Sequence, residues 1–182
     1  AAGKTRKTHD AAWKRAPHLY INAVLGETQY AAQIMLIRSL NKDLDLGFVF
    51  KFYEEAPDYL ESAEGQKPKL EKIISFFIDT PPNCDPNRSF RIELFLDSRL
   101  SRLTELSFGF PEISDSYLGF MMLGPWAQNV GVGLKFVKHV ERLARQAGAQ
   151  KLFIAVLSIN PKGRAFWERR LFYHPLLAGN YY

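Results

Sequence analysis

"SYLGFMMLGPWAQNVGVGLKFVKHVERLARQAG", residues 116–148, runs through three kinds of sequence in succession. Residues 116–123 are apolar nearly throughout, as a strand covered on both faces is. Residues 124–133, "GPWAQNVGVG", place three glycines and an Asn in ten positions. Beyond them Phe136, Val137, Val140, Leu143, Ala144 and Ala147 recur at helical spacing, with Lys135, Lys138, Glu141, Arg142 and Arg145 on the other side, so the spacing predicts an amphipathic helix ending at Gly148. A buried strand, a glycine turn and a helix start leave several backbone N–H groups without partners, and glycine removes the side chains that would keep a ligand away. Such a turn binds phosphate oxygens. The residues alone leave a second reading open, a tight connection that uses glycine only for geometry. No G-x-G-x-x-G occurs and no Gly-Lys-Ser/Thr follows, which excludes a dinucleotide fingerprint and a nucleotide P-loop.

Working outward, residues 16–25 contain a first strand, and "ETQYAAQIMLIRSL" (27–40) reads as a helix with Ala31, Ile34, Met35 and Arg38 at helical spacing. "LEKIISFFI" (70–78) reads as another helix, stopped by the three prolines of 80–89. Residues 90–97 alternate, with Ile92, Leu94 and Leu96 on one face, and 102–110 alternate more loosely, as two strands joined near 98–101. Residues 151–157 form a buried strand, 160–172 a helix with Asn160 at its cap and Pro161 in its first turn, and the Tyr-rich end a closing strand. The order is that of a mixed α+β chain around one central sheet.

At 182 residues the chain is expected to be one domain, residues 16–182, preceded by a basic arm at 1–15. No apolar run reaches the roughly eighteen residues that a membrane span requires, so no membrane role is expected. Cys84 is the single cysteine and cannot pair within the chain, which makes the cytoplasm the expected compartment. The chain opens "AAGK" without Met, which leaves room for a trimmed leader. The net charge of +5 divides into +4 over residues 1–20, −6 over 21–133 and +7 over 134–182. The positive segment begins directly after the glycine loop, which suits a compact polyanion better than a nucleic acid. The four histidines are scattered and, with one cysteine, make no metal-ligand spacing, so no metal is expected. No nucleophile elbow is present to support hydrolase chemistry.

The run from Leu123 to Phe172 resembles the acyl-CoA-binding half of the GNAT (GCN5-related N-acetyltransferase) superfamily. In that family a Q/R-x-x-G-x-G/A turn, here Gln128, Gly131 and Gly133, is similarly preceded by a hydrophobic-x-Pro, here Leu123 and Pro125. The first 80 residues are similar only in the order of their elements. The resemblance implies the GNAT-like acyl-CoA N-acyltransferase fold: a twisted, mostly antiparallel central sheet flanked by helices, whose fourth and fifth strands splay apart. It implies acetyl-CoA as co-substrate, with the pyrophosphate held by backbone amides from Gln128 through Asn129, Val130, Gly131, Val132 and Gly133 to Leu134. The pantetheine arm would pair with the main chain of Met121, Met122 and Leu123, and Asn160 and Trp167 would flank the cofactor. The acceptor implied is a primary amine on a small molecule, peptide or protein, and a homodimer is compatible with the family.

The departures from the family pattern bear on mechanism. Where N-x-x-A-x-x-x-Y-E-K-x-G-F is common, this chain has Gly163 for the Ala, Trp167 for the Tyr and Leu171 for the Gly. The Tyr is the residue often assigned to protonate the leaving thiolate. Indole has no acidic proton near neutral pH, so Trp167 reads as a packing residue. Some relatives place a carboxylate six residues before Leu123, where this chain has Tyr117. Asp115 and Tyr117 share a face if the strand extends that far, and could relay a proton through water; Tyr173 is a second candidate acid. The acceptor cleft is expected among residues 26–80 and 108–116, which hold Tyr30, Phe48, Phe50, Phe52, Tyr53, Glu54, Glu55, Phe108 and Phe110. Aromatics beside acids suit a cationic amine, and the same residues also suit core and solvated edge. Two readings compete with an active transferase: a non-catalytic CoA-binding or protein-interaction module, and, ranked last, nucleic-acid binding through the basic arm.

Overall fold

A computed structural model describes residues 20–24, 33–56, 69–157, 160–171 and 177–181. Its elements are β1 (Tyr20–Val24), β2 (Gln33–Ser39), α1 (Lys42–Glu55), α2 (Leu70–Ile78), β3 (Ser89–Leu96), β4 (Arg99–Phe108), β5 (Ser116–Leu123), α3 (Val132–Gln146), β6 (Leu152–Val156), α4 (Pro161–Leu171) and β7 (Leu177–Tyr181). The seven strands form one sheet in sequence order. Neighbours from β1 to β5 pair antiparallel, while β5 with β6 and β6 with β7 pair parallel across the helices α3 and α4. No helix among the described residues is long and apolar enough to cross a membrane.

Two cores lie on the two faces of this sheet. The β3 side chains Ile92, Leu94 and Leu96 share a face, as their alternation requires, and meet Phe136, Val137, Val140 and Ala144 of α3 and Trp167 of α4. On the other face Leu103 of β4 and Met122 of β5 pack under Val49, Phe52 and Tyr53 of α1 and Ile73 and Phe76 of α2.

Two sequence expectations are corrected. Residues 33–39, read as part of a helix, are a strand hydrogen-bonded on both edges, to β1 and to β3. The run Ile34–Ile37 is apolar throughout and fits either period, and ladder partners on both sides decide its state. Arg38, counted with the apolar face, instead reaches the carboxylates of Asp45 and Glu93. The helix lies later, over 42–55, where the Asn41 side chain caps the N–H groups of Asp43 and Leu44. With β2 as an additional strand, the strands expected to splay as fourth and fifth are the fifth and sixth. They pair only at Ser116↔Leu152, Tyr117↔Phe153 and Leu118↔Ile154, after which β5 continues to Leu123 without β6 beside it. A smaller correction concerns α3, where Glu141, expected among the solvent-facing charges, is buried, as is His139. The basic arm, Tyr30 and Tyr173 lie outside the described residues.

Candidate active site

Where β5 and β6 part, a cleft of about 940 Å³ opens between β5, the loop after it, the start of α3, β6 and α4. Its β5 wall follows from ladder parity. Gly124 donates its N–H to the Ser101 carbonyl at 3.0 Å, so residues 101 and 124 form a hydrogen-bonded pair of the β4–β5 ladder. Bonded and non-bonded pairs alternate in an antiparallel ladder. Arg102↔Leu123 and Thr104↔Met121 are therefore non-bonded pairs, and the N–H and C=O groups of Leu123 and Met121 point away from β4, toward the cleft. Met122, placed beside the pantetheine arm by the family resemblance, has the opposite parity. Its main chain faces β4, and its side chain is buried against α1 and α2.

The loop is shaped by its neighbours. A Cβ on Gly124 would stand 2.4 Å from Trp126 Cζ2, so only glycine lets the indole fold back over the chain. Trp126 is held there by an Nε1 bond to Ser101 Oγ at 3.1 Å and by the Arg99 guanidinium 3.5 Å over its ring. Asn129 and Gly131 then take left-handed conformations, with φ of 60° and 78°. No described residue accepts from the N–H groups of Asn129 through Gly133, and a Cβ on Gly131 would meet nothing within 4 Å. The first turn of α3 holds no acidic residue. Unpaired N–H groups at the positive end of a helix dipole, with open space above them, form an anion cradle.

Of the residues expected to touch a cofactor, Met121, Leu123, Gln128, Asn129, Gly131, Gly133, Leu134, Asn160 and Trp167 line the cleft. Val130 is exposed and does not line it, and Val132, the first residue of α3, turns its side chain into the core. Asn160 caps α4, its Oδ1 accepting from the Gly163 N–H at 2.8 Å. A Cβ at 163 would stand 2.6 Å from Asn160 Nδ2, so an Ala there would require the Asn160 amide to turn. Trp167 is buried in the α3-side core with Phe166 edge-on to it at 5.1 Å.

The expected proton carriers fare differently. Strand β5 begins at Ser116, so the premise that set Asp115 on the same face as Tyr117 fails. Asp115 belongs to the preceding turn, with its carbonyl accepting from the Gly109 N–H and its N–H donating to the Glu112 carbonyl, and it does not line the cleft. Tyr117 is half-buried, edge-on to Phe110 at 5.1 Å. A carboxylate not singled out from the sequence, Glu105, stands close to it; neither side chain lines the cleft, but Gly119, which adjoins both, does. The β4–β5 register shifts at Glu105/Leu106, leaving Gly119 as the extra residue of a β-bulge. A Cβ on Gly119 would stand 2.8 Å from Tyr117 Cε1 and 3.3 Å from Glu105 Oε2. Glu105 also accepts from Ser107 Oγ at 2.9 Å and has Arg91 Nη1 at 4.0 Å. Burial raises its carboxyl above the ordinary range, against the lowering effect of Arg91. Its strand is buried on both faces, so no alternation in the sequence marks it out.

Arg102 is the other residue that the sequence did not single out. It is 1% exposed, lines the cleft beneath the loop and donates through Nη1 to the Gly133 carbonyl at 3.2 Å. Its guanidinium lies 4.8 Å over the Phe136 ring, and its Nε has no acceptor. Burial alone pulls its pKa down to about 9. No group of three His, Cys, Asp or Glu among the described residues could hold a metal ion.

With this geometry in view, the model of the acetyltransferase (GNAT) family matches residues 52–172. Solved structures of similar fold include an acetyltransferase from Thermus thermophilus, at 22% identity and a TM-score of 0.62 over 75% of this chain and 84% of that one. The PaiA N-acetyltransferase from Thermoplasma acidophilum, solved in complex with coenzyme A, is 16% identical with a TM-score of 0.55 over 75% and 87%. The ribosomal-protein-S18-alanine N-acetyltransferase from Escherichia coli is 15% identical with a TM-score of 0.55 over 75% and 76%. At these identities the likeness is one of fold. No curated protein sequence matches the chain significantly.

Proposed function

Because the chain belongs to the acetyltransferase (GNAT) family, we propose that it transfers an acetyl group from acetyl-CoA to a primary amine of a small molecule or peptide, in the cytoplasm. The observation that carries this reading is the continuity of the splayed β5 edge with the loop of unpaired N–H groups. The loop takes the pyrophosphate, and the outward main chain of Met121 and Leu123 takes the pantetheine arm. The Leu123 N–H polarises the thioester carbonyl, which makes positioning the main source of rate.

The reaction needs a neutral amine in line with the thioester carbon. Its nitrogen attacks the carbonyl, the C–S bond breaks, and the amine's proton must leave. Glu105 is the base of this reading, with Tyr117 between it and the aromatic approach from Phe110. A buried carboxylate whose affinity for protons is raised is suited to that task. Trp167 offers no acidic proton; its role is to wall the thioester from water, and the thiolate collects its proton from solvent.

Calorimetry with acetyl-CoA and CoA is the first test, and absence of binding at millimolar cofactor ends the reading. The buried, non-acidic Trp167 favours one rival, a module that binds CoA without turnover. Thiol release across a panel of amines and peptides separates the two, since a module gives none with any acceptor.

A further inference from the structure

A guanidinium buried without a carboxylate costs folding free energy that a neutral side chain of the same shape does not. Arg102 is in that position. No carboxylate among the described residues pairs with it, its Nη1 bonds to a main-chain carbonyl, and its Nε is unsatisfied. It stands directly below the first turn of α3, where a Cβ on Gly133 would come within 3.1 Å of Nη2, and it opens on the cleft that the loop N–H groups border.

On the acyl-CoA reading above, we infer that Arg102 is a cofactor-binding residue whose counter-ion is the pyrophosphate bound at residues 129–133. The charge reaches the loop from β4, through the gap that two glycines leave. Gly133 keeps the space between helix and guanidinium free of a side chain, and Gly131 keeps the space above the N–H groups free. A single buried cation there adds to the positive end of the helix dipole, so the unliganded site is like-charged and an anion relieves it; charge-assisted bonds to phosphate oxygens satisfy the donors that the protein leaves open. The first turn of α3 holds no acid to compete for that charge.

Arg102→Met removes the charge and keeps an unbranched apolar side chain of comparable reach. Affinities for CoA, inorganic pyrophosphate and pantetheine, which lacks phosphate, are measured for wild type and variant by calorimetry, with the melting temperature of each unliganded protein. The expected result is a loss of about ten- to a hundredfold for CoA and pyrophosphate. Pantetheine binding should be unchanged, and the unliganded melting temperature equal or higher. Arg102→Gln also removes the charge but keeps a polar, hydrogen-bonding end two bonds short of Nη1; it should show the same selectivity and covers the case in which the Met variant does not fold. Equal CoA affinity in variant and wild type overturns the inference, as does a loss shared equally by pantetheine. If wild type binds no CoA, the acyl-CoA reading falls and takes this inference with it. If wild type binds CoA and both variants bind it as well, the inference alone falls.

Discussion

Replacing Gly131 by Val separates a loop that holds a ligand from a loop that merely turns. Gly131 has φ 78° and ψ −9°, a left-handed conformation that a β-branched residue adopts only under strain of about 1–3 kcal/mol. For a domain of this size each kcal/mol lowers the melting temperature by about 2–4 °C, so the unliganded variant should melt roughly 2–12 °C below wild type. Nothing further is lost inside the protein, because an added Cβ meets no atom within 4 Å. The same open space is where a phosphate must approach the N–H groups, so CoA affinity should fall by at least about a hundredfold, or about 2.7 kcal/mol. Gly131→Asn sharpens the comparison. Asn tolerates a left-handed conformation but carries the same Cβ, so it should recover most of the melting temperature and little of the affinity. Calorimetric titration with CoA and circular dichroism melts give both readings on each variant. A folded Gly131→Val protein that binds CoA as wild type does would refute the reasoning and reduce the loop to geometry.

Three other outcomes follow from the same structure. Since burial raises the Glu105 carboxyl, turnover should climb with pH through an inflection above the usual carboxylate range. Glu105→Gln should cut turnover by about 10²–10⁴ with CoA affinity intact, and a variant with the wild-type pH–rate profile would remove Glu105 from the chemistry. Trp167→Phe should keep most of the rate, whereas Trp167→Ala should cost about 3–5 kcal/mol of stability in urea melts; a Phe variant without activity would mean that the indole N–H takes part. Glu93 is wholly buried against Arg38, and desolvation pushes its carboxyl up to about 8, so the folded protein keeps a proton that the unfolded chain releases above about 4.5. Its contribution to stability therefore declines as pH rises from about 4.5 to 8, by up to about 1.4 kcal/mol per pH unit, and Glu93→Gln should flatten the urea-midpoint profile over that window.

The second half of the fold was legible because its signals are local and agree with one another. The apolar β5, the glycines, the stripe from Phe136 to Ala147 and the Asn160–Pro161 helix start each name one element, and the structure has each of them. Residues 27–55 failed for a physical reason. Ile34, Met35 and Ile37 fit helix and strand periods alike over so short a run, and only the β1 and β3 ladders, remote in sequence, select the strand. The helix over 42–55 went unread because its apolar residues mark no clear face: Leu44 and Phe48 are exposed while Asp45 is buried by Arg38.

The two groups that the sequence did not bring forward show what a single chain hides about a site. Glu105 is one of sixteen acids between residues 21 and 133, and nothing at its own position sets it apart. It becomes a candidate base only through the bulge at Gly119, which brings its carboxylate to Tyr117 on the next strand. Arg102 lies within β4, and what distinguishes it is that no carboxylate among the described residues pairs with it, which no motif can express. Charge did leave a trace at coarser scale, in the +7 of residues 134–182 directly after the loop. Arg102 lies outside that segment, in the acidic middle of the chain, and reaches the loop only because β4 and β5 are neighbours with residue 102 opposite residue 123. On the proposed reading, a cation contributed by the strand and not by the helix ties the anion site to the sheet register, since residue 102 is fixed opposite residue 123.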